Sequence, residues 1–190
     1  MSNIHESRSR LPIGSLVSLR RIEAADLPQI YRFPFTVSIR EPLDNEADLK
    51  TAFEETGFWT TDAGAIAIVA SANGRFLGTA QFYRAAPCIH GLELGYIIHQ
   101  ASDRGQGAAT QAVRLLTDYL FVAKQSVHRI QLLIEAWNVP SWKLAERCAF
   151  VREGLLRSAG FGDEPADCYV YSRTRTDWRE EQNGPLRMGL

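Results

Sequence analysis

Residues 92–110 carry the most specific chemical signal in the chain. Leu92-Glu93-Leu94-Gly95-Tyr96-Ile97-Ile98 reads as a strand, and Arg104-Gly105-Gln106-Gly107-Ala108-Ala109-Thr110 reads as a turn of small residues that opens a helix. The first N–H groups of a helix lack an internal acceptor, and the helix dipole adds partial positive charge to them. Small side chains let a diphosphate approach that backbone closely. Arg104 adds a full charge at the rim. The expected ligand therefore carries a pyrophosphate. Three turns of this kind differ in spacing. A P-loop needs GxxxxGK[ST], and no Lys follows either glycine here. A dinucleotide fold needs GxGxxG or GxGxxA, and this chain has Thr110 in the third small position, although Glu135 at the end of a later strand imitates the ribose-binding acid. The pattern [RQ]xxGx[GA] is met in full by Arg104, Gly107 and Ala109. A plain surface turn, with glycines serving geometry alone, is the competing reading.

The elements that must position this turn follow from periodicity. Residues 16–22 alternate and predict a strand. A short helix follows from Glu23 to Tyr31 and is broken at Phe33-Pro34-Phe35. A second helix is predicted over residues 44–56, with Leu49, Ala52 and Phe53 on one face, Asp44 as N-cap and Gly57 as stop. Residues 65–71 read as a buried strand, joined by a turn at Asn73-Gly74 to a partner over 76–83. The strand over 92–99 leads through the glycine turn into a long helix, with Ala108, Ala112, Leu115, Leu116, Tyr119 and Leu120 at helical spacing. A strand over 128–135, a helix over 138–147 and strands over 150–157 and 168–175 complete the chain. Hairpins, one strand–helix–strand unit, then a helix and a final hairpin predict an α/β (mixed α+β) fold, a mixed sheet with helices packed on it. Residues 1–13 are expected to be a flexible arm, 14–179 a single domain, and 180–190 a flexible tail.

Composition sets the outer bounds. The 190 residues are 45% hydrophobic and 23% charged, the mix of an ordinary globular protein, which excludes disorder of the whole chain. A net charge of −1 gives no basic footprint for nucleic acid. Of 21 cationic residues 18 are Arg, a side chain suited to gripping carboxylate or phosphate. The longest purely apolar run is six residues, Ala65 to Ala70, against about 20 for a membrane span. No membrane partner and a cytoplasmic location are therefore expected. Cys88, Cys148 and Cys168 are odd in number and widely spaced, so neither a disulfide framework nor structural zinc is expected. No histidine pair has metal-ligand spacing, and no metal is expected.

Five stretches together resemble the GNAT superfamily of acetyl-CoA-dependent N-acetyltransferases, and within it the ribosomal-protein N-terminal (Rim-type) group. They are Leu19-Arg20-Arg21-Ile22 with Asp26-Leu27; Glu93-Leu94-Gly95-Tyr96; Arg104 to Thr110; Asn138 and Ser141 with Glu146-Arg147-Cys148-Ala149-Phe150; and Glu153-Gly154 with Arg157, Asp167, Tyr169, Tyr171-Ser172 and Trp178. Their order and spacing over residues 15–178 are more specific than any one of them. Two departures stand out. Ala149 occupies a position that is commonly Gly, where Ala fits if its φ stays negative. Gln100 replaces a common proline in a segment one residue longer than usual. The resemblance implies a mostly antiparallel, splayed central sheet with helices on both faces. It also implies direct attack of a primary amine on the acetyl thioester.

The resemblance distributes three tasks among residues of this chain. The N–H groups of Arg104, Gly105, Gln106, Gly107, Ala108, Ala109 and Thr110 would hold the pyrophosphate. The strand edge at Ile97 and Ile98, splaying from its neighbour beyond Gly95, would pair with the pantetheine amides, and Asn138 would bond the pantetheine arm. Asn138 is also a good N-cap. Glu93, flanked by Leu92 and Leu94, is the candidate base, because an apolar setting raises a carboxyl pKa toward neutrality. A solvent-facing or ion-paired Glu93, with a water relay as base, is the alternative. The Tyr that many relatives place on the helix after the Asn is Ala145 here, so Ser141 is the candidate acid for the leaving thiolate. Its alternative is a first-turn Ser bonded to its own backbone. His90 is a weaker candidate for substrate contact, and Tyr83, Tyr169 and Tyr171 read as core. Arg32, Arg40 and residues 33–35 fall where the family shapes its acceptor site. The acceptor would be a protein N-terminus or a small-molecule amine, and a homodimer is compatible with the resemblance. Two other classes compete: a non-catalytic CoA-binding module, suggested by the missing helix Tyr, and a dinucleotide-dependent oxidoreductase using Glu135.

Overall fold

The structure is a computed structural model, and it describes residues 11–31, 45–85, 89–160 and 165–183. Seven strands form one sheet in the order β1-β2-β3-β4-β5-β7-β6. They are β1 (Val17–Arg21), β2 (Gly64–Ala70), β3 (Phe76–Arg84), β4 (Leu92–Ile98), β5 (Arg129–Glu135), β6 (Val151–Leu156) and β7 (Cys168–Thr174). The helices are α1 (Leu27–Ile30), α2 (Glu46–Thr56), α3 (Ala108–Ala123), α4 (Val139–Arg147) and α5 (Arg175–Asn183). Every strand pair is antiparallel except β4–β5. The mixed, mostly antiparallel sheet with helices on both faces is the architecture expected from the sequence.

Burial explains the strand patterns. β2 is apolar at nearly every position because both its faces are covered. Ile66 and Ile68 pack with α3 residues such as Ala112, Val113 and Leu116, whereas Ala65, Ala67 and Val69 pack with Ile30 of α1 and Leu49 of α2. β1 alternates, with Val17 and Leu19 buried and Ser18 and Arg20 half-buried. α3 buries Ala108, Ala112, Val113, Leu116, Thr117, Leu120 and Phe121 along one face. The β2–β3 turn places Gly74 at φ +71°, as its Asn-Gly pair predicts.

The C-terminal end of α3 is closed from a distance. The buried Arg175 guanidinium donates to the carbonyls of Phe121, Lys124 and Val127, each at 2.8 Å. Phe121 belongs to the last turn of the helix, whose carbonyls have no internal donor, and Lys124 is its C-cap. Trp178 of α5 adds a 2.8 Å bond from Nε1 to Asp118 and packs its ring, tilted by 36°, against Phe121.

Four sequence expectations change here. Pro12 and Ile13 belong to the domain: Leu19 N–H donates to Pro12 O, and Ile13 bridges Ser18. Residues 180–183 continue α5, because its Trp178 and Arg175 contacts anchor a helix there. The N-cap of α2 is Asn45, whose Oδ1 accepts from Asp48 N–H at 2.9 Å; Asp44 lies outside the described residues. Ala149 does not keep negative φ but stands at +61°. It is the residue after the C-cap of α4, where Phe150 N–H bonds Ala145 O and Ala149 N–H bonds Glu146 O, a Schellman closure that requires a left-handed residue. Ala accepts that conformation at a cost of about 1–2 kcal/mol. Arg32, residues 33–35, Arg40 and Cys88 also lie outside the described residues.

Candidate active site

The site begins where two strands part. β4 and β5 are paired only at Leu92–Ile130 and Glu93–Gln131, so the opening starts two residues earlier than the sequence suggests. His99 N–H donates to Leu77 O on β3. Backbone groups alternate along a strand, so those of Ile97 also face β3 and those of Tyr96 and Ile98 face the opening. The edge that faces the opening therefore belongs to Tyr96 and Ile98, the Ile98 carbonyl being taken by Arg104, while Ile97 contributes to the cleft as a wall.

Beyond the parting lies a cleft of about 640 Å³, lined by Tyr96, Ile97 and Ile98, by the turn from Asp103 through Thr110 except Gln106, and by Asn138, Pro140, Ser141, Leu144 and Arg147. That volume falls in the range of small-molecule sites. Gly105 and Gly107 take φ of +75° and +85°. A Cβ on Gly105 would meet nothing within 4 Å and one on Gly107 only Leu16 Cδ1 at 3.5 Å, so the backbone conformation, not crowding, calls for glycine. Gly107 is the N-cap of α3 and provides no side-chain acceptor. The first helical bond runs from Gln111 N–H to Gly107 O, so the N–H groups of Ala108, Ala109 and Thr110 precede any helical partner.

Charge at the cleft is arranged differently from expectation. Arg104 folds back, its Nε donating to Ile98 O at 2.9 Å and its Nη2 to His99 O at 3.2 Å, so it ties the turn to the end of β4 while lining the cleft. Asp103 is held in a two-bond pair with Arg75, both at 2.8 Å, which keeps its carboxyl below the usual range. Arg147 adds a second cation to the lining. Gln106 turns away and donates to Ser102 O at 2.7 Å. The unpartnered N–H groups, the open strand edge and the two arginines fit a ligand with a diphosphate and an amide-bearing arm.

Asn138 caps α4, its Oδ1 accepting from Ser141 N–H at 3.3 Å, and it also lines the cleft. The Ser141 hydroxyl is paired with Tyr96 Oη at 2.7 Å. Burial pushes the Tyr96 phenol up to about 12. The sequence reading gave Tyr96 no role, although it sits within the quoted Glu93–Tyr96 motif. Counting by two from Glu93 puts it on the opposite face of the sheet, toward α3 and α4.

Glu93 is 3% exposed and does not line the cleft. It occupies the last paired position before β4 and β5 separate. Its Oε1 accepts from Tyr83 Oη at 2.9 Å and its Oε2 from Gln131 Nε2 at 2.8 Å. Burial raises its pKa, the two donors oppose that, and burial prevails. Gln131 is oriented in turn by Arg129, whose Nε reaches Gln131 Oε1 at 3.3 Å while its other nitrogens grip Glu153. A polar residue at a buried place in the apolar strand Arg129–Glu135 was the signal that could have found Gln131. Tyr83, read as core, is instead a donor to the candidate base. Glu93 and Tyr96, three apart on one strand, lie on opposite faces and flank the gap. His90 lies away from this cleft, in a smaller one of about 230 Å³ with Asp62, Arg84 and Ser126.

Among the described residues no helix is long and apolar enough to cross a membrane, and no group of three or more His, Cys, Asp and Glu could hold a metal.

Comparison with known proteins agrees with this geometry. Residues 17–151 match the family model of the acetyltransferase (GNAT) domain. A probable N-acetyltransferase, YjcK, of Bacillus subtilis (strain 168) is 30% identical over 91 residues, 47% of this chain and 49% of that protein. An uncharacterized N-acetyltransferase, p20, of Bacillus licheniformis is 33% identical over 95 residues, 50% and 52% of the two. The chain thus spans about half the length of the curated relatives it matches. Among solved structures, spermidine N-acetyltransferase from Vibrio cholerae in complex with CoA and spermine superposes with a TM-score of 0.72 at 20% identity, covering 87% of this chain and 99% of that one. A GNAT-family acetyltransferase from Bacillus anthracis gives 0.67 at 19% identity, covering 85% and 97%. At such identities the likeness speaks for the fold. The family match covers most of the chain, and the chain belongs to the GNAT acetyltransferase-domain family.

Proposed function

We propose that this chain transfers the acetyl group of acetyl-CoA to a primary amine by direct attack on the thioester. The observation that carries this reading is the meeting, in one cleft, of the unpartnered N–H groups at the start of α3 with the opened β4 edge. The glycine turn and Arg147 would hold the pyrophosphate. The Tyr96 backbone groups and the Ile98 N–H on that edge, with Asn138, would hold the pantetheine arm. Bound acetyl-CoA supplies the activated acyl group; the chain supplies position and proton handling.

Glu93, on the face opposite Ser141, takes the ammonium proton through solvent in the gap, since its carboxylate stands at the parting and not in the cleft wall. Its raised pKa brings it nearer the working pH. Ser141, from α4, hydrogen-bonds the leaving sulfur in place of the Tyr whose position Ala145 fills. That Ser-for-Tyr arrangement favours the Rim-type group within the family. The acceptor is then a protein N-terminus or a small-molecule amine; the spermidine acetyltransferase neighbours make a polyamine the first small molecule to try. A cytoplasmic homodimer is consistent with this reading, which calls for no metal.

Calorimetric titration with acetyl-CoA, NAD serving as control, followed by turnover on a panel of N-terminal peptides and amines, tests it. Acetyl-CoA binding with acetylation of a panel member is the expected result. Folded protein that binds no acetyl-CoA overturns the enzyme reading. Tight acetyl-CoA binding with silence across the panel favours a non-catalytic CoA-binding module.

A further inference from the structure

Helix α4 delivers Ser141 in its first turn, where a serine commonly bonds its own backbone. Here the recorded partner of Ser141 Oγ is the phenol of Tyr96, on another element 45 residues earlier in the chain, at 2.7 Å. Both side chains border the cleft. The phenolic oxygen also stands 3.4 Å from the Ser141 carbonyl. Two acceptors of one residue therefore surround one phenolic proton. A phenol is a stronger acid than an aliphatic alcohol, and the alcohol is the better acceptor. Both facts set the direction of the bond from Tyr96 to Ser141.

A hydroxyl has a single proton. Once Ser141 Oγ accepts from Tyr96, its own O–H is released to point elsewhere, and the cleft is the open side. Resting on the acetyl-transfer reading above, we infer that Tyr96 is a positioning residue for the leaving group, donating to Ser141 Oγ so that the serine's proton is directed at the departing sulfur. In the reaction the amine nitrogen bonds the acetyl carbon and the carbon–sulfur bond breaks. The electron pair stays on sulfur, where the Ser141 O–H stabilises it. The amine's surplus proton leaves through the base, and the thiolate is finally protonated from solvent.

Tyr96 keeps its proton throughout. Burial has pushed its phenol up to about 12, far above the roughly 8.5 of an ordinary thiol, so full transfer along the pair would run uphill. The pair is thus a polarised donor, not a proton wire. Its effect is felt where negative charge grows on sulfur and is small in the ground state. It belongs to kcat and not to KM.

The test uses the full-length protein and free CoA as the probe, with the ultraviolet absorbance of the thiolate reporting the titration of the bound thiol. The wild-type chain is expected to hold that thiol below its free value. Y96F should move it back up and lower kcat about fivefold to tenfold, the size of one neutral hydrogen bond, with KM for acetyl-CoA unchanged. S141A should move it further, and Y96F added to S141A should change nothing more. An unchanged thiol titration in Y96F, or a Y96F effect that persists undiminished in the S141A background, overturns the inference. Absence of CoA binding in folded wild-type protein overturns the acetyl-transfer reading itself, a separate outcome. If Y96F unfolds, a fluorotyrosine placed at 96 retains the shape with a stronger donor. It should lower the bound thiol's pKa, and a rise or no change refutes the assignment.

Discussion

Gly107 offers a sharp test because its conformation, and nothing else, demands glycine. Its φ is +85°, and a Cβ there would meet only Leu16 Cδ1, at an ordinary contact distance of 3.5 Å. Gly107→Ala therefore introduces no clash. It introduces a backbone preference of about 1–2 kcal/mol against the left-handed region. The protein has two ways to respond. If the turn holds its shape, the strain appears as lost stability of about 0.5–1 kcal/mol once the stiffer unfolded chain is allowed for. If the turn relaxes to negative φ, stability is spared. The N–H groups of residues 108–110 then no longer converge, and the same strain is levied when acetyl-CoA restores them. That response weakens binding about fivefold to thirtyfold. Thermal unfolding and calorimetry of one sample read both. A domain of this size shifts by about 2–4 °C per kcal/mol. The strain must surface in one measurement or be shared between them. If both stability and acetyl-CoA affinity match the wild type, the reasoning about this turn is wrong.

The converse change, Ala149→Gly, relieves a left-handed Ala and should stabilise by about 0.5–1 kcal/mol after allowing for the looser unfolded chain, seen as a higher Tm. Arg175→Met should remove the donors from three carbonyls around the end of α3 and destabilise by about 2–4 kcal/mol, measured as a lower urea midpoint at constant slope. Glu93→Gln should lower kcat/KM by about 10²–10⁴ and abolish the acidic limb of the pH profile, which in the wild type should lie above the ordinary carboxylate range. It also predicts a stability signature. A carboxyl whose folded pKa is raised stabilises the fold fully below its unfolded value and loses that contribution as pH rises through the folded value. The Gln variant should therefore gain on the wild type as pH is raised through that window, and parallel stability curves would contradict it.

The sequence made the scaffold legible where period and punctuation agree. Gly57 stops α2, Asn73-Gly74 turns the β2–β3 hairpin, and the spacing in α3 marks its buried face. The glycine turn was legible because its signal is local: two glycines, an Arg and a helix start within seven residues. What escaped was long-range. The Tyr96–Ser141 pair spans 45 residues and the Glu93–Gln131 bond 38, and neither follows from any local pattern. Arg104 was read as a charge at the rim, but its guanidinium is engaged by the Ile98 and His99 carbonyls at the end of β4, which no local pattern announces. The left-handed Ala149 was missed because a Schellman closure states a conformation that its own residue type argues against. Glu93 was found as an acid among apolar neighbours, yet its two donors come from adjacent strands.

The guanidinium of Arg175 also dates the completion of the fold during synthesis. The antiparallel run β1–β2–β3–β4 is built from neighbours along the chain and can assemble as soon as it emerges. It then ends in an edge with nothing beside it, because β5 follows only after α3 and pairs with β4 at two positions. α3 itself, whose first turn presents the N–H groups proposed to bind the pyrophosphate, is not closed at its far end until residue 175 has been made. A nascent chain stopped before Arg175 would already hold β5 against β4, yet would leave the far end of α3 without the three donors that close it. The order of translation thus leaves the proposed CoA-binding half of the molecule waiting on a single late arginine.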